Sequence, residues 1–285
     1  MNKLPDKIFG IDKEDAYKRF LKRKESKEEP GQKPLVRIPT IIEDPNDFII
    51  INSRYHGDYH SPDLLVQIHK LRYTSEVEQA SKTLGFNVSD TSEESDKTPY
   101  IGNINHEQAL SLNQRLGNVT LSPINVTDLI YRLIQAIKGN ETILYEDGKT
   151  QVPKEILKYM LNEMIEVRAP YRAEWLGARF GSKSITYNKF DSHVDREVTE
   201  RLDSDTLMED RNPGINLESY VTNPTSHGLP RENVEKGDFC YWYPRDRKGV
   251  RLGAGSDGAG LLCYGDPSGL DGRLGVRAAK ILRSI

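Results

Sequence analysis

Between Arg251 and Gly260 the chain reads RLGAGSDGAG, and its GAGSDG matches G-x-G-x-x-G. Such a loop cradles a pyrophosphate when a strand precedes it and a helix follows, because the helix N-terminus attracts the anion. The stretch that follows, AGLLCYGDPSGLDGRLG, is rich in glycine and contains a proline, which opposes a stable helix. Too little chain remains for the rest of a dinucleotide-binding half. A nucleotide loop is therefore not expected. His56, Asp58 and His60 in YHGDYH alternate as residues on one side of a strand would, and that spacing can hold a metal. A polar surface loop has the same composition and is the preferred reading. Cys240 and Cys263 are the two cysteines, too few for a zinc site or a disulfide scaffold, and are expected to be buried thiols. Ser226 and His227, with acidic residues near 232–237, lack a nucleophile elbow of the G-x-S-x-G type. The expectation is no catalytic residue, no metal and no cofactor.

The 285 residues suffice for one large domain or two small ones. A net charge of -3 provides no global basic field, so no nucleic-acid partner is expected. No apolar run is long enough to span a bilayer, and membrane insertion is not expected. The beginning, MNKLPDKIFGIDKEDAYKRF, lacks the apolar core of a secretory signal, which predicts synthesis in a cytoplasm without a signal peptide.

The elements come in two styles. A charged helix is expected over 13–24, a joint at Pro30–Gly31, and short extended segments at Ile38–Ile42 and Phe48–Asn52. The pattern then predicts a helical hairpin. Ser61 and Pro62 open its first helix, with Leu64, Leu65, Ile68 and Leu71 as the stripe. Ser75 and Glu78 open the second, which stops at Gly85. NVSDTSEESDK (87–97) reads as an acidic linker. Three amphipathic helices follow: one capped by Asn105 and closed by Gly117, one from Val126 to Ile137 closed by Gly139, and one started by Pro153. Beyond Arg168, short strand-like runs (AEWLGARF, SITYNKF, FCYWYP, GVRL, GLLCY, LGVRAAKIL) alternate with turn residues. Aromatic Tyr241, Trp242 and Tyr243 are expected mostly in the core. Helices first and strands afterwards predict an α+β fold.

Period-two alternation gives GAGSDG a different meaning. Leu252, Ala254 and Ser256 share one phase, Ala259, Leu261 and Cys263 the other, and the phase flips at Asp257–Gly258. Asp-Gly is a favoured hairpin turn. A hairpin around it would pair Ser256 with Ala259, Ala254 with Leu261 and Leu252 with Cys263 on one face. Glycines then populate the outer face, where strand propensity disfavours them and no structural account is evident. From Gly249 to Ala279 there is also no Lys, Glu, Gln, Met or Trp. Codons ending in a pyrimidine cannot encode those five types, the outcome expected if Asn codons are randomised at both adenines.

GVRLGAGSDGAGLLCYGDPSGLDGRLGVRAAKI resembles the C-terminal variable region of the target proteins of diversity-generating retroelements, especially the archaeal and archaeal-virus group. YIGNINHEQALSLNQRLGN, EVRAPYRAEWLGARF and YWYPRDRKGVRL extend the resemblance over about residues 35–285. It implies a C-type lectin fold of the formylglycine-generating-enzyme branch over 98–285, with a variable region at about 249–277 and a helical N-terminal extension over 1–97. It also implies a hypervariable ligand-binding protein, rewritten at template adenines and recognising a protein or cell-surface ligand. Location on a virion surface or in a cytoplasm stays open. Ala254, Ser256, Ala259, Leu261, Cys263, Pro267, Leu274, Gly275, Val276 and Arg277 match framework positions. Gly253, Gly255, Asp257, Gly258, Gly260, Leu262, Tyr264, Gly265, Asp266, Ser268, Gly269, Leu270, Asp271, Gly272 and Arg273 match exposed variable positions. Among these, Leu262, Tyr264, Leu270 and Arg273 are the large side chains. The alternative within the same branch is an oxidase of the formylglycine-generating, sulfatase-modifying type, with Cys240 and Cys263 as its thiols.

Overall fold

A computed structural model of the chain describes residues 7–8, 11–12, 47–57, 59–90, 100–167, 171–190 and 195–282. It has two compact units, Met1–Ile42 and Glu43–Ile285. In the first, β1 (Lys7–Ile8) and β2 (Ile11–Asp12) pair antiparallel. The helix expected over 13–24, the joint at Pro30–Gly31 and the segment Ile38–Ile42 lie outside the described residues.

The second unit is α+β and is built on an 11-stranded sheet. Its strands are β3 (Phe48–Ile51), β6 (Leu64–Lys70), β9 (Val119–Thr120), β10 (Arg172–Phe180), β11 (Ser184–Phe190), β12 (Asp195–Arg201), β13 (Arg211–Ile215), β14 (Phe239–Trp242), β15 (Lys248–Gly255), β16 (Gly258–Gly265) and β17 (Leu274–Ile281). The order is β13-β14-β16-β15-β10-β17-β6-β3, with the β11–β12 hairpin branching from β10 and β9 alongside β17. Two pairings are parallel, β10 with β17 and β14 with β16. Two small antiparallel pairs flank the sheet: β4 (Arg54–His56) with β5 (Tyr59–Ser61), and β7 (Ser89–Asp90) with β8 (Ile101–Gly102).

Local chemistry explains the helices. Thr74 accepts from the Val77 N–H and caps α1 (Ser75–Thr83), one residue before the cap expected at Ser75. Asn105 and Gln108 form a reciprocal capping box on α2 (His106–Arg115). Pro123 opens α3 (Pro123–Lys138), and Gly139 ends it in the left-handed region at φ 86°. Pro153 precedes α4 (Lys154–Ile165). A short α5 (Leu217–Thr222) is capped by Asn216.

Alternation along β10 and β17 divides the core into two layers. Leu176, Ala178, Phe180 and Ala279 face α3 and α4 in the larger cluster, where Leu129, Leu133, Leu157 and Met160 pack. Ala173, Trp175, Leu274, Val276 and Ala278 face the smaller one, with Val77 of α1 and Ala109 and Leu112 of α2.

The expected helical hairpin over 61–85 is half wrong. Leu64–Lys70 is a strand, buried at every residue, between β17 and β3. A short apolar run fits a helix or a doubly covered strand equally in a local window. The deciding partner is Ala279–Ile281, more than two hundred residues away in the chain. The boundary expected at residue 97 also fails to divide the fold, because β3 and β6 complete the same sheet as β17. Within the expected linker, Ser89 and Asp90 pair with Gly102 and Ile101; residues 91–97 lie outside the described residues. Asp195–Arg201 and Arg211–Ile215 add strands not expected from the sequence. The first carries exposed Arg196, Glu197 and Arg201 along the sheet edge, which discourages pairing with another chain.

Candidate functional site

β15 and β16 form the expected hairpin with a shifted turn. Gly255 pairs with Gly258, so Ser256 and Asp257 make the loop, and Ala254 pairs with Ala259 and Leu252 with Leu261. Gly258 takes φ 144°, which favours glycine. The shift preserves the facing of both strands. Leu252, Ala254, Ala259, Leu261 and Cys263 lie in the larger core cluster, whereas Ser256 is exposed at the turn.

The opposite face is less open than expected. Gly253, Gly260, Leu262 and Gly265 are buried; Gly255, Gly258 and Tyr264 are half-buried; Asp257 is exposed. Neighbouring strands cause this. A Cβ on Gly253 would stand 2.7 Å from the Tyr171 hydroxyl and 2.8 Å from Ala173 Cβ and the Arg172 carbonyl oxygen. One on Gly260 would stand 2.7 Å from the Cys240 carbonyl oxygen and 2.8 Å from Cys240 Cβ. At these two positions close strand approach explains the glycine, an account the sequence did not suggest.

Around the glycines lies a rim of aromatic and arginine side chains. Trp242 meets Tyr264 edge-on at 5.9 Å between centroids. Arg245 lies 5.2 Å from the Tyr264 centroid and 5.3 Å from that of Tyr243, and pairs with Asp210 at 2.7 Å. Arg251 lies over Trp175 at 5.3 Å. Burial raises the Tyr171 phenol, against the opposing charge of Arg251. Tyr241 is fully buried and Tyr243 packs half-buried against the larger core, while Trp242 is half-buried on this margin. Alternation with Gly253 was the signal that places Arg251 on this face. Trp175 comes from the remote β10 and Tyr171 directly precedes that strand, and no local signal marks them.

The loop from Asp266 to Arg273 completes the margin. Asp266, Ser268 and Leu270 are exposed; Gly269, Asp271, Gly272 and Arg273 are half-buried. Asp266 accepts from the Ser268 hydroxyl and N–H, which lowers its carboxyl. Burial opposes ionisation of Asp271, but bonds from the Arg273 side chain and N–H outweigh it and its carboxyl is also lowered. These local bonds rigidify a loop that presents Leu270 at 56% exposure.

The other candidate sites separate. Cys240 pairs with Gly260 and projects toward Gly258, while Cys263 lies in the core layer on the other side of the sheet. Both thiols are free; burial raises both, that of Cys263 well above its usual value. This geometry does not unite them as a reactive pair. His56 is buried with Nε2 2.7 Å from Asp128, and Ser61 donates to the other carboxylate oxygen. His60 stacks on Tyr55 at 4.0 Å; Asp58 lies outside the described residues. Ser226 donates to Asp203 at 2.9 Å, and buried His227 stands 3.3 Å from Glu200. Among the described residues no three His, Cys, Asp or Glu side chains gather as for a metal ion. No helix among them is long and apolar enough to cross a membrane.

No family model matches the chain, and no curated protein and no solved structure matches it.

Proposed function

We propose that this chain is a non-catalytic ligand-binding display protein. In this reading its α+β unit is a C-type lectin fold of the formylglycine-generating branch, and adenine-specific retroelement mutagenesis diversifies its C-terminal region. The ligand is a protein or cell-surface molecule. One observation carries the reading. Six of the framework positions, Ala254, Ala259, Leu261, Cys263, Leu274 and Val276, are core residues, while Asp257, Asp266, Ser268 and Leu270 are exposed and Tyr264 is half-buried. Exposed side chains can change at little cost to stability, whereas core changes cost several kcal/mol, about 2–5 for a large truncation. Burial of Gly253, Gly260, Leu262 and Gly265 narrows the proposed display surface to the turn at 255–258, Tyr264 and the loop 266–273. The oxidase alternative loses support from the two thiols, which face opposite sides of the sheet.

The decisive experiment is sequencing the DNA around the gene. A near-repeat of codons 249–277 differing at adenines, beside a reverse transcriptase gene, is expected. A complete genome carrying the gene without such a repeat overturns the diversification reading.

A further inference from the structure

Asp-Gly occurs three times in the chain, at Asp147–Gly148, Asp257–Gly258 and Asp271–Gly272, and Asn-Gly does not occur. An aspartate followed by glycine can close a five-membered imide. The next residue's amide nitrogen lies within reach of the side-chain carboxyl, and glycine adds no Cβ to hinder the approach. Closure requires the carboxyl to leave its hydrogen bonds and swing over its own backbone. The three sites differ in that freedom.

Asp147 is exposed, but its carboxylate accepts from the Lys149 N–H at 2.9 Å, the Thr150 N–H at 2.8 Å and the Thr150 hydroxyl. The Gly148 N–H is itself engaged, donating to the Tyr145 carbonyl at 2.9 Å. Asp271 is half-buried and accepts from the Arg273 N–H at 2.9 Å and from Arg273 Nε and Nη2 at 3.0 and 3.3 Å. The Thr150 and Lys149 donors lower the Asp147 carboxyl; at Asp271 burial opposes ionisation, but the Arg273 bonds outweigh it. Both groups therefore stay ionised, and a carboxylate accepts an amide's attack less readily than the neutral acid does. Asp257 is exposed in the two-residue loop between Gly255 and Gly258. Among the described residues its carboxylate has one hydrogen bond, from the Ser256 hydroxyl at 3.5 Å, too long to restrain it. The Gly258 amide belongs to the closing pair of the ladder, Gly255 with Gly258, and opening that single pair frees it. Two glycines give this pair the greatest backbone freedom.

We propose that Asp257 is a site of spontaneous isoaspartate formation, and that the fold confines the reaction to it among the three Asp-Gly pairs. The Gly258 nitrogen attacks Asp257 Cγ. The N–Cγ bond forms, the amide proton and the carboxyl hydroxyl leave as water, and a succinimide results. Water then adds to one of the two imide carbonyls. Breaking the bond from nitrogen to the backbone carbonyl carbon leaves the chain running through Cβ and Cγ, an isoaspartyl residue; breaking the bond to Cγ returns aspartate. Water is the sole co-reactant. The product has one extra methylene in the backbone of a two-residue loop and carries its carboxylate on Cα. The reaction needs no ligand and does not rest on the display reading.

The test is ageing of the full chain for weeks at neutral pH and physiological temperature, in buffer and in guanidinium chloride. Peptide mapping with electron-transfer fragmentation distinguishes aspartyl, succinimidyl and isoaspartyl forms at each site. Methyl transfer by an isoaspartate-specific carboxyl methyltransferase counts the product independently. In the native chain Asp257 is expected to convert at least about tenfold faster than Asp147 and Asp271, as for one or two carboxylate hydrogen bonds that must break before attack. The contrast is expected to vanish in the denatured chain. Asp257→Glu, whose longer side chain needs a six-membered ring, is expected to abolish conversion at this position and leave the other two sites unchanged. Native conversion at Asp147 or Asp271 as fast as at Asp257 overturns the proposal, as does a native chain in which Asp257 stays unconverted. A contrast that persists in denaturant traces the preference to neighbouring residues and overturns the role given to the fold.

Discussion

Replacing Gly260 by alanine puts a methyl group 2.7 Å from the Cys240 carbonyl oxygen and 2.8 Å from Cys240 Cβ. Both are parts of a paired strand, so β14 and β16 must move apart or tilt. Overpacking of this kind costs about 1–3 kcal/mol. The lower entropy of an unfolded chain with alanine returns about 0.4–1 kcal/mol. The net expectation is a loss of about 1–2 kcal/mol, which for a unit of this size lowers Tm by roughly 3–6 °C. Urea and thermal unfolding of the full chain measure it, with Leu270→Ala as control. Leu270 is 56% exposed, and its truncation is expected to stay within about 0.5 kcal/mol. If Gly260→Ala matches the parent in midpoint and slope, strand approach does not dictate this glycine. The position would then be as free to vary as the exposed loop.

Three further outcomes are expected. Leu261→Ala, buried in the larger core, should cost about 2–5 kcal/mol, whereas Tyr264→Ala should cost about 1 kcal/mol for its lost aromatic and cation–π contacts; equal urea midpoints would refute the facing assignment. Burial lowers the imidazoles of His69 and His106 to about 4. The folded values lie below the unfolded value, so this stability is complete above about pH 6.5 and declines as pH falls toward 4, by roughly 3 kcal/mol for each histidine. Urea midpoints measured from pH 7 to 4.5 should fall, and the fall should be smaller in His106→Gln; the same fall in both proteins would refute the assignment to His106. Finally, burial holds both thiols protonated, so a thiol reagent at neutral pH should react slowly with the native chain, with Cys240 ahead of the more deeply buried Cys263. Fast labelling of Cys263, read by mass spectrometry, would contradict its place in the core.

Sequence reading was strongest where structure is local. Asn105, Gly117, Gly139 and Pro153 mark helix ends because caps and left-handed glycines act within one turn of backbone. Alternation placed Leu252, Ala254, Ala259, Leu261 and Cys263 on the core side, since a strand's side chains change sides at every residue, but it misplaced Ser256, which lies in the turn, and did not foresee the burial of Gly253, Gly260 and Leu262. The turn was misplaced by one residue because Asp-Gly is only one of several pairs able to close a hairpin, and Ser256–Asp257 with Gly258 at positive φ closes this one.

What the sequence by itself determined is therefore the α+β composition, three capped helices and the facing of the C-terminal hairpin. Tertiary structure alone decided that LLVQIHK is a strand, because its partner lies at the other end of the chain. It also decided how much of the glycine face is open. Tyr171, Trp175, Cys240 and Trp242 cover that face from β10, β14 and the residue before β10, and no local window contains them.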